Sequence, residues 1–346
     1  MPDNTPKNPL KPSSDPIHTG NRLSTADQLS GVTFEGHALP AVITACGDRG
    51  AEAFLNFFAG MIRNANTRQA YLRAWSRFDQ WCQHHQISHI GQIRTLHVAT
   101  YIETLGKQLS PASVKQHRAA LSKCFDFLVV SQIVPDNPVL HVAGPKIRTT
   151  KGKTPTLTDE EFLDLMNSIP KHTLIGLRDR AFIALLAYAW PRVSAAVGLR
   201  VKDYFPKGKR WYLQVSEKGG KENMLLVHHQ AQDALDDYLD AANLTSDAYI
   251  FCSFDRRRQL TDRALDRREA LAMVKRRAKA AGPHHEKICN HSFRATGITN
   301  YMANGGRLDV AQEWANHSDP RTTGLYDHSG DKLTLEEIER IRFERN

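Results

Sequence analysis

The sequence has no apolar run long enough to cross a bilayer. Its longest nearly unbroken apolar stretch, from Ala181 to Trp190, ends at Pro191 and is about half of the roughly 20 residues that a membrane helix needs. The start of the chain also lacks the apolar segment of a secretory signal, because polar residues and prolines follow Met1. We therefore expect no membrane association and a cytoplasmic location.

Cysteine is scarce, and its spacing carries no motif. The five cysteines are widely separated and include no C-x-x-C pair: Cys46, Cys82, Cys124, Cys252 and Cys289. This pattern predicts neither a disulfide framework nor a zinc finger. Three histidines near Cys289, namely His284, His285 and His291, are metal-ligand types, but their spacing fits no common zinc module. We therefore expect neither a metal nor another cofactor.

Basic residues outnumber acidic ones, 46 to 37, and give a formal net charge of +9. This excess favours an anionic partner but also suits an ordinary basic enzyme. The clustering is more informative, because ten basic and three acidic residues lie between Arg256 and Lys279. Such a cluster predicts a phosphate-binding surface. A solvated helix face with ion pairs is the alternative.

With 346 residues, of which 41% are apolar, the chain is long enough for two domains. Residues 1–36 are polar and proline-rich without apolar periodicity, which predicts a flexible N-terminal arm. Residues 37–145 have helical spacing, with helices near 50–64 and 95–106. Asn66 or Thr67 can cap a helix with an apolar stripe, and Ser110 and Pro111 can begin another. The stripe consists of Tyr71, Trp75, Phe78 and Cys82.

A proline-rich segment followed by Lys and Thr at 146–156 predicts a basic linker. The second domain, 157–346, opens with Thr158 and Glu161 in the spacing of a capping box. A buried helix follows at about 174–189. Trp211 to Val215 alternate in polarity, and Met224 to Val227 offer a second strand, which places Lys218 in a hairpin loop. Further helices are predicted at about 230–242, 261–281, 291–304, 307–316, 320–327 and 334–344.

Six residues in this second domain can bear chemistry. In chain order they are Arg192, Lys218, His291, Arg294, His317 and Tyr326. Each residue alone is ordinary, because a lone tyrosine is more often part of a core and an arginine after a helix usually pairs with a carboxylate. Their joint order and spacing carry the signal. Lys218 follows Arg192 by 26 residues, His317 follows Arg294 by 23, and Tyr326 follows His317 by nine.

This order resembles the tyrosine recombinases, the phage integrase and Cre/Xer-like family of site-specific recombinases. The resemblance covers residues 157–328 strongly and the N-terminal helices loosely. It implies a mainly α fold with a small β-sheet, in which an all-α SAM-like core-binding domain precedes an α+β catalytic domain. It also implies DNA breakage and rejoining without metal or cofactor, in integration, excision or resolution of a mobile element or replicon.

The residue types suit phosphodiester chemistry. Two guanidiniums can bind the non-bridging oxygens of a scissile phosphate, a role that the resemblance gives to Arg192 and Arg294. His291 and His317 would add hydrogen bonds, and His291 is also linked with proton transfer. Preorganised donors of this kind are typically worth about 100- to 1,000-fold in rate.

Tyr326 would be the nucleophile and would form a 3′-phosphotyrosine. The leaving 5′ oxygen needs a proton, which the resemblance assigns to Lys218. Because the covalent bond conserves the phosphodiester energy, a 5′-hydroxyl from another strand can attack it and rejoin DNA without ATP.

Several positions depart from the family pattern. Glycine is common two residues before the first arginine, where this chain has Trp190, and before the second histidine, where it has Asn316. An acidic residue usually stands at the position of Ala195, and histidine is frequent at that of Ala295. We expect cleavage to persist, at a reduced rate.

The expected partner is a double-stranded DNA recombination site. The resemblance implies a homotetramer on two paired sites, with a dimer on each site. Accessory proteins are further candidate partners, and binding to DNA would associate the protein with the nucleoid. The candidate DNA contacts are Lys115, Arg118, Lys123, Arg256, Arg257, Arg258, Lys275, Arg276 and Arg277. The predicted last helix has an apolar side, including Leu335 and Ile338, that could dock on a neighbouring protomer or on its own domain. Two alternatives remain: a non-catalytic DNA-binding protein on the same fold, and a type IB topoisomerase-like enzyme.

Overall fold

The computed structural model describes residues 32–147, 154–216, 222–282, 287–317 and 320–326. The chain divides into two compact units, Met1–Arg148 and Thr149–Asn346, and each is described by itself. Most of the predicted N-terminal arm, part of the predicted linker, Lys218 and the predicted helix at 334–344 lie outside the described residues. No helix in the described parts of the chain is both long enough and apolar enough to cross a bilayer.

The first unit is a bundle of helices with a two-stranded antiparallel hairpin. Its elements are β1 (Thr33–Phe34), β2 (His37–Ala38), α1 (Ala41–Thr44), α2 (Gly47–Asn56), α3 (Ala65–His84), α4 (Thr95–Gly106) and α5 (Pro111–Val130). A π-helical turn at Phe57–Met61 continues α2, and a 3₁₀ turn spans Ile90–Gln92.

The predicted apolar stripe of α3 is buried from Tyr71 to Cys82 and forms part of this unit's core. The predicted cap was wrong by two or three residues. Asn64, and neither Asn66 nor Thr67, is the N-cap, and its side chain accepts from the Thr67 amide. Ser110 caps α5 as predicted, with Pro111 in the first turn.

The second unit wraps helices around one central helix. Its helices are α6 (Asp159–Ser168), α7 (Leu174–Tyr188), α8 (Val193–Ala196), α9 (His229–Ala242), α10 (Arg267–Ala281), α11 (Asn290–Ala303), α12 (Leu308–Trp314) and α13 (Pro320–Gly324). Helix α7 is central, because ten of its fifteen residues are buried and both α9 and α11 pack on it. Thr158 and Glu161 form the predicted capping box.

Two antiparallel sheets complete this unit. β3 (Tyr204–Lys207), β4 (Arg210–Ser216) and β5 (Glu222–Leu226) form a three-stranded sheet, of which the sequence predicted the last two strands. β6 (Cys252–Phe254) and β7 (Leu260–Ala264) form a second hairpin. The predicted helix from 261 was therefore wrong at its start, because β7 occupies that segment and Asp266 and Glu269 form the capping box of α10.

Candidate active site

Arg192 lies at the start of α8, four residues after the central helix α7 ends. The connection turns at Trp190, whose φ is +57°. Arg192 is the N-cap residue of α8, and its Nη2 donates to the backbone carbonyl of Asn316 at 3.0 Å. The second unit therefore ties Arg192 to the segment that carries His317.

Helix α11 carries the other candidate arginine. Arg294 is only 2% exposed, and its guanidinium donates to the backbone carbonyls of Trp190 and Ala315. Its Nη2 also lies 2.9 Å from Nε2 of His317. Arg294 thus connects the chain before Arg192 to the chain before His317, two segments that lie far apart in sequence.

The ring of His317 is held from both sides. Nε2 accepts from Arg294, since a guanidinium can only donate, and Nδ1 lies 2.9 Å from Oγ1 of Thr323, a fully buried residue. This arrangement assigns the proton to Nδ1. Desolvation, followed by the positive charges of Arg294, Arg192 and the neighbouring His291, lowers the pKa of His317 to about 4. His317 is therefore neutral at pH 7.

Tyr326 reaches the same cluster. Its ring is 7% exposed and stacks on His317 with centroids 6.2 Å apart, and its hydroxyl is 3.1 Å from Nε2 of His291. Burial raises the pKa of Tyr326, and the charge of Arg294 opposes that rise. Desolvation and the charges of Arg294 and Arg192 lower the pKa of His291. The protonated phenol therefore faces a neutral imidazole at pH 7.

Two of the departures from the family pattern are backbone positions. Trp190 and Asn316, which stand where glycine is common, both have positive φ, +57° and +47°. Glycine adopts this left-handed region freely, asparagine tolerates it, and other L residues do so at a cost. The structure therefore keeps the conformation that glycine would give. Ala195 is buried, and its amide donates to the carbonyl of Arg192.

The structure brings together five of the six predicted residues: Arg192, His291, Arg294, His317 and Tyr326. Lys218 lies outside the described residues. Sequence reasoning missed Trp190, Asn316 and Thr323 as parts of the cluster. Trp190 and Asn316 were noticed only as replacements of a family glycine. Thr323 follows His317 by six residues in a Thr-Thr pair, and no local pattern marked it as part of the site.

The candidate DNA contacts have different surroundings. Lys115, Lys123, Arg256, Arg257, Arg258, Lys275 and Arg276 are exposed. Arg118 instead donates to the backbone carbonyls of Val139, Leu140 and Val142, and Arg277 binds the buried carboxylate of Asp179. Exposed Arg276 also lies 4.0 Å from the Asp179 carboxylate. For these three arginines a structural role competes with the predicted one.

In the described parts of the chain, no group of three or more His, Cys, Asp or Glu side chains could hold a metal ion. His284 and His285, which the sequence placed near Cys289 and His291, lie outside those parts.

Two family models match this chain, and together they cover both units. The model described as "Phage integrase family" matches residues 155–332. This chain belongs to the phage integrase family. A second model, described as "Phage integrase, N-terminal SAM-like domain", matches residues 53–132. The predicted family and the predicted two-domain fold are confirmed.

Curated relatives of this phage integrase family member are tyrosine recombinases. The tyrosine recombinase XerD of Corynebacterium glutamicum is 28% identical over 275 residues, which are 77% of this chain and 88% of that protein. XerD of Lacticaseibacillus casei is 30% identical over 224 residues, 63% of this chain and 73% of that protein. The family and these names indicate a tyrosine site-specific recombinase and favour neither alternative.

Solved structures show the same fold. A post-cleavage complex of the XerH site-specific recombinase with palindromic difH substrate aligns with a TM-score of 0.67 and 18% identity, over 91% of this chain and 92% of that one. A lambda integrase dimer bound to a COC′ core site aligns with a TM-score of 0.60 and 15% identity, over 86% and 80%. At these identities the likeness concerns the fold.

Proposed function

We propose that this protein recombines DNA at specific sites through a covalent 3′-phosphotyrosine on Tyr326. The observation that carries the proposal is the hydroxyl of Tyr326, 3.1 Å from His291 Nε2, in a buried cluster with Arg294 and His317. A phenol, a neutral base and two arginines in one pocket are the parts that transesterification of a phosphodiester requires.

Arg192 and Arg294 would bind the scissile phosphate. Attack on phosphorus concentrates negative charge on the two non-bridging oxygens, and forked guanidinium donors match those oxygens. Arg294 is buried and held by two carbonyls and His317, which fix the position of its guanidinium before DNA binds. Phosphate binding would bring an anion among Arg192, Arg294 and the histidines.

His291 would act as the base for Tyr326. In the proposed step the phenolic proton passes to Nε2 of His291, the phenolic oxygen bonds to phosphorus, and the bond from phosphorus to the 5′ oxygen breaks. The lowered pKa of His291 leaves its imidazole neutral at pH 7, and the tautomer with its proton on Nδ1 leaves Nε2 able to accept the phenolic proton. Lys218 would donate a proton to the leaving 5′ oxygen.

Strand exchange would follow when a 5′-hydroxyl from a second duplex attacks the phosphotyrosine. Two duplexes present four strands, so the reaction needs four tyrosines and hence a tetramer on paired sites, a dimer on each. The predicted helix at 334–344 would contribute to this assembly if it docks on a neighbouring protomer. We propose integration, excision or resolution as the biological setting, with accessory proteins as possible partners.

The surface of the β6–β7 hairpin would bind DNA. Its turn carries three exposed arginines, Arg256, Arg257 and Arg258, and the carboxylate of Asp255 accepts from the amides of Arg257 and Gln259, both at 2.8 Å. These bonds fix the turn, so the arginines project from a defined support. Exposed Lys115, Lys123, Lys275 and Arg276 are further candidates.

Covalent trapping tests the proposal. Bound sequences are first selected from a random DNA library and then built into nicked suicide duplexes, from which the short fragment that bears the free 5′-hydroxyl diffuses away after cleavage. We expect an adduct that resists denaturing electrophoresis and maps to Tyr326. Tyr326→Phe abolishes the adduct while DNA binding persists. Tyr212→Phe, on strand β4, is the matched control and retains the adduct.

The alternatives give different results. A non-catalytic DNA-binding protein would select a site but yield no adduct, and Tyr326→Phe would change nothing. A topoisomerase-like enzyme would relax supercoiled DNA without a paired site. Failure to select any DNA, or selection without an adduct from the wild-type protein, contradicts the proposal.

A further inference from the structure

Trp190 occupies the short connection between α7 and Arg192. It is 3% exposed, and it adopts a φ of +57°, a backbone conformation that costs a tryptophan energy and a glycine almost none. The turn itself therefore gives no reason for an indole at this position. The side chain must contribute something that glycine would not.

The backbone of Trp190 lies between the two candidate arginines. Its carbonyl accepts from Nη1 of Arg294, and Arg192 follows two residues later in the chain. A shift of the Trp190 peptide would therefore displace the acceptor of one guanidinium and the Cα of the other.

The indole is fixed on several sides. Its Nε1 donates to the carbonyl of Ala187 at 2.8 Å, and its ring lies 4.6 Å from that of Trp314 and 5.5 Å from that of Tyr301 between centroids. Gly297 of α11 leaves the space, because a Cβ there would lie 1.9 Å from the Ala187 carbonyl oxygen and 2.3 Å from the indole nitrogen. The pocket around Trp190 is therefore shaped to the indole.

We propose that Trp190 is a positioning residue: its indole anchors the peptide that receives Arg294 and leads into Arg192, and so sets the distance between the two guanidiniums. A glycine would permit the turn without holding it. This inference rests on the proposed function, since the two arginines are taken to bind the scissile phosphate.

Single-turnover cleavage of the suicide duplex at saturating protein tests this role. We expect Trp190→Gly to slow cleavage by about 10- to 100-fold, because small displacements of catalytic groups have effects of that size, while the DNA dissociation constant stays unchanged. Trp190→Phe keeps a ring and recovers part of the rate. Trp211→Gly, which removes an indole from strand β4, is the matched control and slows cleavage little.

A second measurement needs no DNA. Because the charge of Arg294 helps to lower the pKa of His317, a displaced Arg294 should let that pKa rise from about 4, measured by NMR titration of the imidazole in folded protein. A merely structural role for Trp190 predicts lower stability with an unchanged pKa and an unchanged rate in the folded fraction, and that result would overturn the inference.

The two proposals fail in different ways. If wild-type protein forms no adduct, the proposed function fails. If wild-type protein forms the adduct, and Trp190→Gly cleaves as fast as wild type with the His317 pKa unmoved, only the positioning role fails.

Discussion

Thr323 lies against the nitrogen of His317 that carries the proton. Its hydroxyl lies 2.9 Å from Nδ1 and is fully buried, while Arg294 occupies Nε2 as a donor. With Nδ1 protonated, Nε2 keeps its lone pair toward the arginine. Before Nε2 can donate to a phosphate bound at Arg294 it must gain a proton, which the negative charge of that phosphate would favour.

Thr323→Val should therefore damage the site while preserving its shape. The substitution leaves the Nδ1 proton buried without an acceptor, which costs about 1–3 kcal/mol of unfolding free energy, and it frees the ring to rotate, which slows cleavage. Denaturant unfolding and single-turnover cleavage measure the two effects. Thr322→Val is the matched control, because Thr322 is exposed. This substitution should change the free energy of unfolding by less than about 0.5 kcal/mol. Equal behaviour of the two variants would contradict this role.

The residues that touch each other in the cluster were predictable, but the residues that support them were not. Order and spacing single out Arg192, Arg294 and Tyr326, because their chemistry needs those residue types. Trp190 and Thr323 act through a backbone angle and a contact made only in the folded unit. A residue's identity in the sequence carries neither piece of information.

At the scale of elements, a buried carboxylate joins α7 to α10. Asp179 is fully buried; its Oδ1 accepts from Arg178, and its Oδ2 accepts from Nε of Arg277 at 2.9 Å. Arg178 also donates to the carbonyl of Cys252 in β6 and lies over the ring of Phe254. The basic helix α10 and the arginine-bearing hairpin are thus both tied to the central helix.

Asp179→Asn should destabilise the second unit strongly. The amide cannot neutralise the neighbouring guanidiniums of Arg178, Arg276 and Arg277, and breaking a buried ion pair costs about 3–5 kcal/mol. Denaturant unfolding of the full chain measures this cost. Asp247→Asn is the control, because Asp247 and Lys202 form an exposed pair, which water screens and whose loss should change the free energy of unfolding little. A loss for Asp179→Asn as small as that of the control would show that the network contributes little.

Helices with strong end signals were predicted closely, whereas short strands were not. Ser110 with Pro111, and Thr158 with Glu161, mark helix starts that the structure confirms. The β6–β7 hairpin was missed because β7 is short and contains Asp262 and Arg263, so its polarity resembled the basic helix that follows. A cross-strand contact between the hydroxyls of Ser253 and Thr261 supports it, and such a contact has no local signature.

At the scale of the whole molecule, the net charge is +9, and basic residues are most concentrated on the β6–β7 hairpin and helix α10. The hairpin turn and α10 carry most of the basic residues between Arg256 and Lys279, and most of these side chains are exposed. Long-range attraction by this surface would raise the rate of encounter with DNA and would weaken as salt rises.

Replacing the three turn arginines together, Arg256→Gln, Arg257→Gln and Arg258→Gln, should weaken DNA binding and flatten its salt dependence. Each lost phosphate contact reduces the slope of log affinity against log salt by about 0.9. Fluorescence anisotropy at several salt concentrations measures the slope. Lys171→Gln, at an exposed position near the start of α7, should leave it unchanged. An unaltered slope in the triple variant would show that the turn of the β6–β7 hairpin does not contact DNA phosphates.

The left-handed backbone at Trp190 and Asn316 has a consequence for how relatives are found. A search pattern that demands glycine at these two places would miss this chain, although its backbone there has the positive φ that glycine adopts freely. Comparison by backbone torsion angle, with the side chain ignored, would recover family members that lack these glycines. It would also show how often an aromatic residue occupies the turn at position 190.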